Sequence, residues 1–406
     1  MAERQITVMG IGGAGCRLAG WLTARTDAPD LRTVAVDADS CALAEADAHA
    51  RLQIGEDLTG GFGAGGDEER GRLAAEADLP RIAAELEGCS LLVLLTGLGG
   101  GVGSGAAPVV AGAARAAGAM TVCLAVQPFA FEGPQRRAAA QRAVEALRDV
   151  CDVMIVIPND DLFEHVQGEQ LPELFDRADD VLGGGAYALW QLLARPGYIR
   201  LDPADLRRMA TDTDGACALG YAEASGDDRA RRAATALIEG PMLDRGRLLA
   251  KARLAMVLIV GGPDLRLKEV GEIMDLVSPR VRSECRLVMG TSLDDAWVGR
   301  VTVCVITGEK RVVSPLPAPE LVATESSDAA AGADTASEAT RAGHAPEEMP
   351  AGTSGGRRRR GKERQPQLPL EQLSGRGRFK DVEPTLQNGE DLDIPTFVRR
   401  GIRIER

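Results

Sequence analysis

A glycine-rich segment near the start of the sequence has the spacing of a phosphate-binding turn. Gly10, Gly12 and Gly15 fit the pattern GxGxxG between a strand-forming run and a helix-forming run. Glycines in such a turn let main-chain N–H groups approach a pyrophosphate, and Asp37, about 20 residues further on, is placed to bond a ribose hydroxyl. Taken alone, this fingerprint favours an NAD-dependent oxidoreductase, although the pattern recurs in many phosphate sites.

Two further glycine clusters change that interpretation. The segment from Gly97 to Gly105 contains six glycines in nine residues and separates an apolar run from an Ala-rich run. Such a loop lets N–H groups converge on an anion, and the next helix adds its positive dipole. A dehydrogenase needs one such loop, whereas these two and the cluster from Gly60 to Gly66 predict a nucleotide with three phosphates. No GxxxxGK[ST] motif occurs, which excludes a P-loop NTPase.

The positions of the apolar runs predict a doubly wound α/β sheet, with a Rossmann-type arrangement of parallel strands. Ala-rich helical stretches separate these runs, and an amphipathic helix precedes the last of them. The segment 171–195 is predicted as one long central helix, disturbed at Gly183 to Gly185 and stopped by Pro196-Gly197. The predicted strands are ITVMG, TVAVD, LLVLLTG, TVCLAVQP and VMIVIP.

A second, smaller α+β domain follows the central helix. Its predicted helices are RARRAATALIEG and LKEVGEIMDLV, and its predicted strands are LAMVLIVGG, CRLVMGTSL and VGRVTVCVITG. Residues 314–388 are rich in Pro, Ala, Ser, Thr, Gly and charge, and bury too little apolar surface to fold, so we expect a disordered linker. We interpret its basic run, 357–360, as solvated charge.

Composition restricts the classes of function. The 406-residue chain carries a net charge of −13, which argues against general affinity for nucleic acids. Eight scattered Cys without CxxC spacing and only three His make a zinc site improbable and favour a reducing compartment. Neither a secretory leader nor an apolar stretch long enough to span a bilayer is recognisable, so we expect a soluble, cytoplasmic protein without direct membrane insertion.

The ordered motifs together resemble the tubulin/FtsZ family of cell-division GTPases. GLGGGVGSGAAP is similar to the family signature GGGTGTG, and the similarity runs from residue 5 to about 310 and returns at the tail. The other matching motifs are GIGGAG, LQIGEDLTGGFGAGG, QPFAFEGPQRR, IVIPNDDLF, RPGYIRLDPADLRRM, GGPDLRLKEV and DLDIPTFVRR. The resemblance implies GTP/GDP binding with Mg²⁺, a long central helix between two domains, and head-to-tail filaments forming the midcell division ring.

The family's nucleotide-binding positions carry over by matching motif. The phosphates would lie against the two main glycine loops, Glu132 and Arg136 would contact the ribose and its surroundings, and Asp180 would read the guanine edge. Without the resemblance, we would interpret these last residues as solvated helical side chains. The implied nucleotide-binding set is Gly12, Gly13, Ala14, Gly15, Cys16, Arg17, Gly100, Gly101, Val102, Gly103, Ser104, Glu132, Arg136 and Asp180.

The family completes its active site in trans, through a loop of pattern NxDxxD from the next subunit. Here Asp202 and Asp205 keep the two acids, which would polarise the attacking water. By themselves, two acids three residues apart after a helix stop are ordinarily an N-cap and a first-turn acid, and both roles are compatible. The metal ligands stay unknown.

Several positions depart from the family pattern. Val102 replaces a Thr whose hydroxyl could bond phosphate, and Arg17 replaces an Asn that helps to hold the base. Asp37 and Asp179 add acids where Asn is usual, and Arg200 replaces the Asn of NxDxxD. We expect Arg200 to neutralise Asp202 and so to slow hydrolysis.

The last segment regains apolar residues after the polar linker, as a short recognition motif would. Leu392, Ile394, Pro395 and Phe397 are the expected partner-binding residues. In the family, the similar segment binds membrane-tethering proteins such as FtsA, ZipA or SepF.

The expected organisation is a nucleotide domain, a central helix with the catalytic loop, an α+β domain, a linker and a terminal peptide. Besides the polymerising GTPase, two alternatives stay open: a diverged, weakly hydrolysing paralogue that modulates or scaffolds filaments, and an NAD-type oxidoreductase. The corresponding ranges are 1–172, 173–212, 213–313, 314–388 and 389–406.

Overall fold

The computed structural model describes residues 5–25, 28, 30–162, 171–195, 197–213, 216–308, 386–387 and 390–391. The chain divides into two units, Met1–Thr324 and Glu325–Arg406. In the second unit, the described residues form two short strands, β11 Leu386–Gln387 and β12 Glu390–Asp391, which pair antiparallel with Leu386 opposite Asp391. Most of the predicted linker and the anchor residues of the predicted terminal peptide lie outside the described residues.

The first unit is built on one ten-stranded sheet. Its strand order is β3-β2-β1-β4-β5-β6-β7-β10-β8-β9. The strands are β1 Gln5–Ile11, β2 Arg32–Asp37, β3 Ala50–Gln53, β4 Cys89–Gly97, β5 Met120–Gln127, β6 Val153–Pro158, β7 Ala216–Ser225, β8 Leu254–Gly261, β9 Arg286–Leu293 and β10 Arg300–Gly308, with β11 Leu386–Gln387 and β12 Glu390–Asp391 in the second unit.

Strands β1 to β7 pair in parallel, whereas β10 runs antiparallel to both β7 and β8. Parallel strands covered on both faces are expected to be apolar throughout, and β1 is buried from its second residue to its last. The predicted doubly wound α/β class is therefore confirmed.

Helices cover both faces of the sheet. The helices are α1 Gly12–Arg25, α2 Ser40–Glu45, α3 Glu56–Thr59, α4 Glu68–Ala77, α5 Leu79–Glu85, α6 Gly101–Ala116, α7 Pro134–Val150, α8 Asn159–Leu162, α9 Leu171–Ala194, α10 Pro203–Asp212, α11 Arg229–Glu239, α12 Arg247–Lys251 and α13 Leu267–Val277. One face packs on α1 and α9, and the other packs on α4 to α7 at one end and on α11 and α13 at the other.

Helix α9 is continuous through Gly183, Gly184 and Gly185, where the sequence predicted a disturbance. A Cβ atom on Gly183 would lie 2.4 Å from the Trp21 ring, and one on Gly184 would lie 2.2 Å from the Tyr221 ring. The three glycines therefore serve close packing against the helix backbone rather than a break in the helix.

Candidate functional site

The two main glycine loops lie side by side at one edge of the sheet. Strands β1 and β4 are neighbours, with Ile11 opposite Thr96, so the loops that follow them leave the sheet at the same level. Helix α1 begins at Gly12 and helix α6 at Gly101. Two helix N-termini, with their unpaired N–H groups and positive dipole ends, thus meet at the carboxyl edge of the strands.

Close packing between the loops requires glycine. Gly12 has a φ of +72°, and a Cβ there would lie 2.9 Å from the Gly103 nitrogen. A Cβ on Gly103 would lie 2.0 Å from the Gly97 carbonyl oxygen, and Thr96 Oγ1 donates a 2.9 Å hydrogen bond to the Gly103 oxygen. These contacts fix the two loops relative to each other.

Other glycines in the same loops face open space. A Cβ on Gly13 or Gly100 would meet no atom within 4 Å. Gly100 caps α6 without a side chain, which leaves the first N–H groups of the helix without a side-chain acceptor. Main-chain donors beside an empty volume form a cradle that fits phosphate oxygens.

Side chains of the second loop point into the protein. Val102 is buried in the core cluster beneath α6. Ser104 is buried, and its Oγ accepts the Gly99 N–H at 2.8 Å. Both side chains therefore stabilise the loop, and the groups of the loop that can bind an anion are main-chain N–H groups. Val102, which replaces the family's Thr, therefore has a buried side chain.

The third glycine cluster borders the second loop. Five of its glycines, Gly60, Gly61, Gly63, Gly65 and Gly66, have φ between 62° and 81°. Ala64 packs so close to Gly101 that a Cβ on this glycine would lie 2.6 Å from the Ala64 Cβ. The Phe62 side chain, in contrast, is 88% exposed at the tip. All three clusters thus gather at one edge of the sheet.

An ion pair joins α1 to α9 beside the first loop. Arg17 Nε donates to Asp179 Oδ2 at 2.5 Å, and Arg17 Nη2 donates to Asp179 Oδ1 at 3.0 Å. The two departures, 162 residues apart, are therefore direct partners. Burial raises the pKa of Asp179, and the Arg17 guanidinium opposes this effect. Cys16, in contrast, is buried behind the loop, with its thiol directed at the Gly10 and Val36 carbonyl oxygens.

Asp180 is engaged one residue further along α9. Its Oδ1 accepts Trp21 Nε1–H at 2.9 Å and an Arg25 N–H at 2.7 Å. Its carboxylate is half exposed, with a side-chain exposure of 52%. A guanine edge would have to reach the remaining oxygen or displace these donors.

Glu132 and Arg136 form the helical pair that their spacing allows. Arg136 Nη1 is bonded to Glu132 Oε2, and Glu132 Oε1 accepts the Phe129 N–H at 2.9 Å. A Cβ on Gly99 would lie 3.0 Å from the Arg136 carbonyl oxygen, so the pair stands next to the second loop.

Asp37 does not present its carboxylate to a ribose. The residue is 4% exposed, and its Oδ1 accepts the N–H groups of Ala38 and Asp39 at 2.7 and 3.1 Å. Desolvation raises the pKa of this carboxyl. The Asp37 carboxylate, which suggested a dinucleotide site, therefore accepts hydrogen bonds from the turn that follows it.

The two candidate catalytic acids lie at the opposite edge of the sheet. Asp202 caps α10 by accepting the Ala204 N–H at 2.8 Å. It also lines a cavity of about 180 Å³ together with Ile6, Leu91 and Met120, which stand at the starts of β1, β4 and β5. The glycine loops follow the ends of β1 and β4. Since β1 alone is seven residues long, about 20 Å of strand separates the acids from the loops.

Asp205 is almost buried and has a basic partner that the sequence did not indicate. Its Oδ1 accepts an Arg286 N–H at 3.0 Å, from the start of β9. Among the described ion pairs, none joins Arg200 to Asp202, and the slowing of hydrolysis expected from Arg200 stays a prediction. Eighty-one residues separate Arg286 from Asp205, and no local pattern reveals such a contact.

Fold and loops together define a doubly wound α/β protein with a glycine-lined cradle of main-chain donors at the carboxyl edge of its strands. The family model described as Tubulin/FtsZ family, GTPase domain, matches residues 5–167, and that described as FtsZ family, C-terminal domain, matches residues 215–310. The chain belongs to the tubulin/FtsZ family, whose members bind guanine nucleotides, and this replaces the NAD-type interpretation.

Individual relatives support this assignment to the family. Cell division protein FtsZ from Magnetospirillum gryphiswaldense is 35% identical over 320 residues, which cover 78% of this chain and 56% of the relative. FtsZ from M. jannaschii, solved as an empty dimer, is 32% identical with a TM-score of 0.69 over 75% of this chain and 88% of that one. CetZ1 from Haloferax volcanii, GDP-bound, shares the fold at 20% identity and a TM-score of 0.63, over 77% and 96% of the two chains.

Among the described residues, no group of three or more His, Cys, Asp and Glu side chains is arranged to hold a metal ion. No helix among them is both long enough and apolar enough to cross a membrane.

Proposed function

We propose that the protein binds and hydrolyses GTP and assembles head to tail, each subunit supplying Asp202 and Asp205 to the nucleotide held by its neighbour. One observation carries this proposal: the phosphate cradle and the acids lie at opposite edges of one sheet. Strand length keeps them apart within a subunit, whereas stacking two copies along the strand direction brings one edge onto the other.

The chain's own residues have distinct tasks in this arrangement. Main-chain N–H groups at Gly13 to Gly15 and at Gly101 to Gly103 hold the phosphates, with Glu132 and Arg136 near the ribose and Asp180 at the base. Mg²⁺ accompanies the triphosphate and neutralises its charge, and it needs no dedicated protein cage because it keeps waters and phosphate oxygens as ligands. The acids of the neighbour orient and polarise the attacking water.

The cellular role follows from the family. We propose that the filaments contribute to the division ring at midcell and that the terminal peptide joins them to a membrane-tethering partner of the FtsA, ZipA or SepF kind. A weakly hydrolysing, filament-modulating paralogue remains the second candidate, supported by the Arg286 contact that occupies one oxygen of Asp205.

Two inactive variants test the trans arrangement. Gly13→Leu places a side chain in the cradle at a position where an added Cβ meets no atom within 4 Å, so it should fold and lose nucleotide. Asp205→Asn should bind GTP and lose hydrolysis. In a heterologous head-to-tail polymer, an equal mixture pairs intact pockets with intact acids at about a quarter of its interfaces and should recover activity in that proportion.

Phosphate release and sedimentation with GTP, GDP or no nucleotide provide the readouts, and thermal unfolding confirms that both variants fold. Gly112→Leu, another helical glycine with open surroundings, controls for the added side chain. A mixture as inactive as its components, with GTP still bound by Asp205→Asn, contradicts action in trans. Equal pelleting with GTP and GDP contradicts the nucleotide-dependent assembly.

A further inference from the structure

The Arg17–Asp179 ion pair is asymmetric. The Asp179 side chain is 8% exposed, whereas the Arg17 side chain is 48% exposed. A carboxylate fixed in the interface between α1 and α9 therefore holds a guanidinium that faces outward. The Arg17 Cζ also stands 5.5 Å from the centre of the Phe175 ring, which limits its movement on a second side.

The geometry of the pair leaves one edge of the guanidinium free. A guanidinium has five N–H donors, and Asp179 takes one from Nε and one from Nη2. The three others lie on Nη1 and on the outer side of Nη2, and among the described residues no protein acceptor bonds Nη1. Two parallel N–H groups along that edge match a pair of neighbouring acceptor atoms.

The position of Arg17 on α1 brings the free edge of its guanidinium near the proposed ligand. Arg17 follows Gly13 by four residues on α1, and residues with this spacing lie on the same helix face. Since an added Cβ on Gly13 would point into the cradle, a nucleotide whose phosphates lie there can extend along the helix face that carries Arg17. Asp180, the other candidate for reading the base, already accepts two donors on Oδ1.

We propose that Arg17, positioned by Asp179, selects guanine by donating two hydrogen bonds to its O6 and N7 atoms. Guanine presents two acceptors on this edge, whereas adenine presents an amino donor beside N7 that opposes the guanidinium. Arg17 is then a specificity-determining residue and Asp179 a positioning residue. The inference rests on the proposed function, because it takes the phosphates to lie in the glycine cradle.

Competition binding to the full-length protein with GTP, 7-deaza-GTP, ITP and ATP tests the inference. 7-Deaza-GTP lacks the N7 acceptor, and ITP keeps O6 and N7 but lacks the 2-amino group. Loss of a hydrogen bond from a charged donor should weaken 7-deaza-GTP relative to GTP by about ten-fold in the unmodified protein. In Arg17→Ala, the two nucleotides should bind equally and the preference over ATP should fall, while the ratio of GTP to ITP stays unchanged.

Two further variants separate positioning from charge. Arg17→Lys keeps the positive charge but provides a point donor instead of a fork, so it should lose most of the discrimination against 7-deaza-GTP. Asp179→Asn should reduce that discrimination without changing the ratio of GTP to ITP. Arg25→Ala is the matched control, since it removes an arginine of similar exposure, 44% against 48%, from the neighbouring ion pair between the same helices, and it should retain the effect.

The outcomes are distinct. Equal binding of GTP and 7-deaza-GTP to the unmodified protein, or a preference that survives in Arg17→Ala, overturns the inference. If Arg17→Ala weakens all four nucleotides by the same factor, Arg17 contacts phosphate and the base assignment is wrong. Failure of every nucleotide to bind contradicts the proposed function instead.

Discussion

At the scale of single residues, Asp202 combines a local and a proposed catalytic role. Its carboxylate caps α10, and it stands at the edge that would meet the next subunit. An N-cap requires a side-chain oxygen acceptor, whereas polarising water requires a negative charge. The two roles can therefore be separated by substitution.

Asp202→Ser should keep the cap and lose the charge, and Asp202→Ala should lose both. We expect Asp202→Ala to lower the free energy of unfolding by about 1 kcal/mol and Asp202→Ser to leave it nearly unchanged. Both should reduce GTP hydrolysis. Urea unfolding and phosphate release provide the comparison, and normal turnover in Asp202→Ser would show that the residue is only a cap.

A buried cation provides a second prediction, about pH. Arg229 is 6% exposed and is bonded to Asp264 at 2.6 Å and to Glu269 at 2.7 Å. The Arg229 guanidinium lowers the pKa of Glu269. Because the folded-state pKa is lowered, this pair stabilises the fold fully above the ordinary Glu pKa of about 4.3, and the contribution is lost as pH falls through the lowered value.

Glu269→Gln should lower the free energy of unfolding at pH 7 by about 2 kcal/mol, and the difference from the unmodified protein should shrink as acid protonates Glu269. Urea unfolding across a pH series measures it. Glu272→Gln, which breaks an exposed 3.5 Å pair with Lys268, should cost less than about 0.5 kcal/mol. A pH-independent difference would contradict the assigned cause.

Sequence reasoning at this scale found the glycine loops because their spacing is local. Arg17 and Asp179 were recognisable as two separate departures from the family pattern. Their ion pair could not be predicted, since no local rule joins residues so far apart in the sequence. The sequence gives no indication of Arg286, because only the folded chain brings the start of β9 within hydrogen-bond distance of Asp205.

At the scale of elements, the apolar runs predicted β1, β2, β4, β5 and β6 because buried parallel strands are continuously apolar. Strand β3 was missed, since ARLQ is short and polar. Strand β7 was missed as well, because ACALGYAEAS is built from small residues. The continuity of α9 could not be predicted either, since the role of its glycines depends on Trp21 and Tyr221, which belong to other elements.

Gly183→Ala tests the close packing on α9. The new Cβ would displace the Trp21 ring, whose Nε1 bonds Asp180 and whose face carries Arg25. We expect a loss of about 1–3 kcal/mol despite the better helix propensity of Ala. Gly112→Ala in α6, where the Cβ has free space, should stabilise by about 0.5–1 kcal/mol. Thermal unfolding of the two variants measures these changes in stability. A Gly183→Ala protein more stable than the unmodified protein would contradict the close packing at Trp21.

At the scale of the whole molecule, residues 314–388 are predicted to act as a tether. A flexible chain of about 75 residues has an r.m.s. span of about 45–50 Å, enough to separate a filament from a membrane-bound partner. Leu392, Ile394 and Phe397 follow this polar stretch, and Pro395 restricts the local conformations that docking must fix.

Deletion of residues 389–406 should leave GTP-driven sedimentation unchanged and disperse the protein from the division site in cells. The matched control replaces the basic run, 357–360, by Ala, and we expect it to localise normally. Fluorescence microscopy of tagged proteins and pelleting of purified ones measure the two effects. Persistent midcell rings in the truncated protein would show that the terminal peptide is not the anchor.

The pairing of β6 with β7 sets how the molecule responds to force. Among the described residues, this pair comprises Met154 with Ala216 and Ile155 with Cys217, whereas β7 and β10 are paired along nine residues. Side chains packed around α9, including Tyr187 and Trp190, join the two sides of this line. Apolar contacts are non-directional, so they resist relative movement of the two sides less than a hydrogen-bonded ladder does. We therefore expect a bending force on the ten-stranded sheet to be absorbed first along the short pairing of β6 with β7.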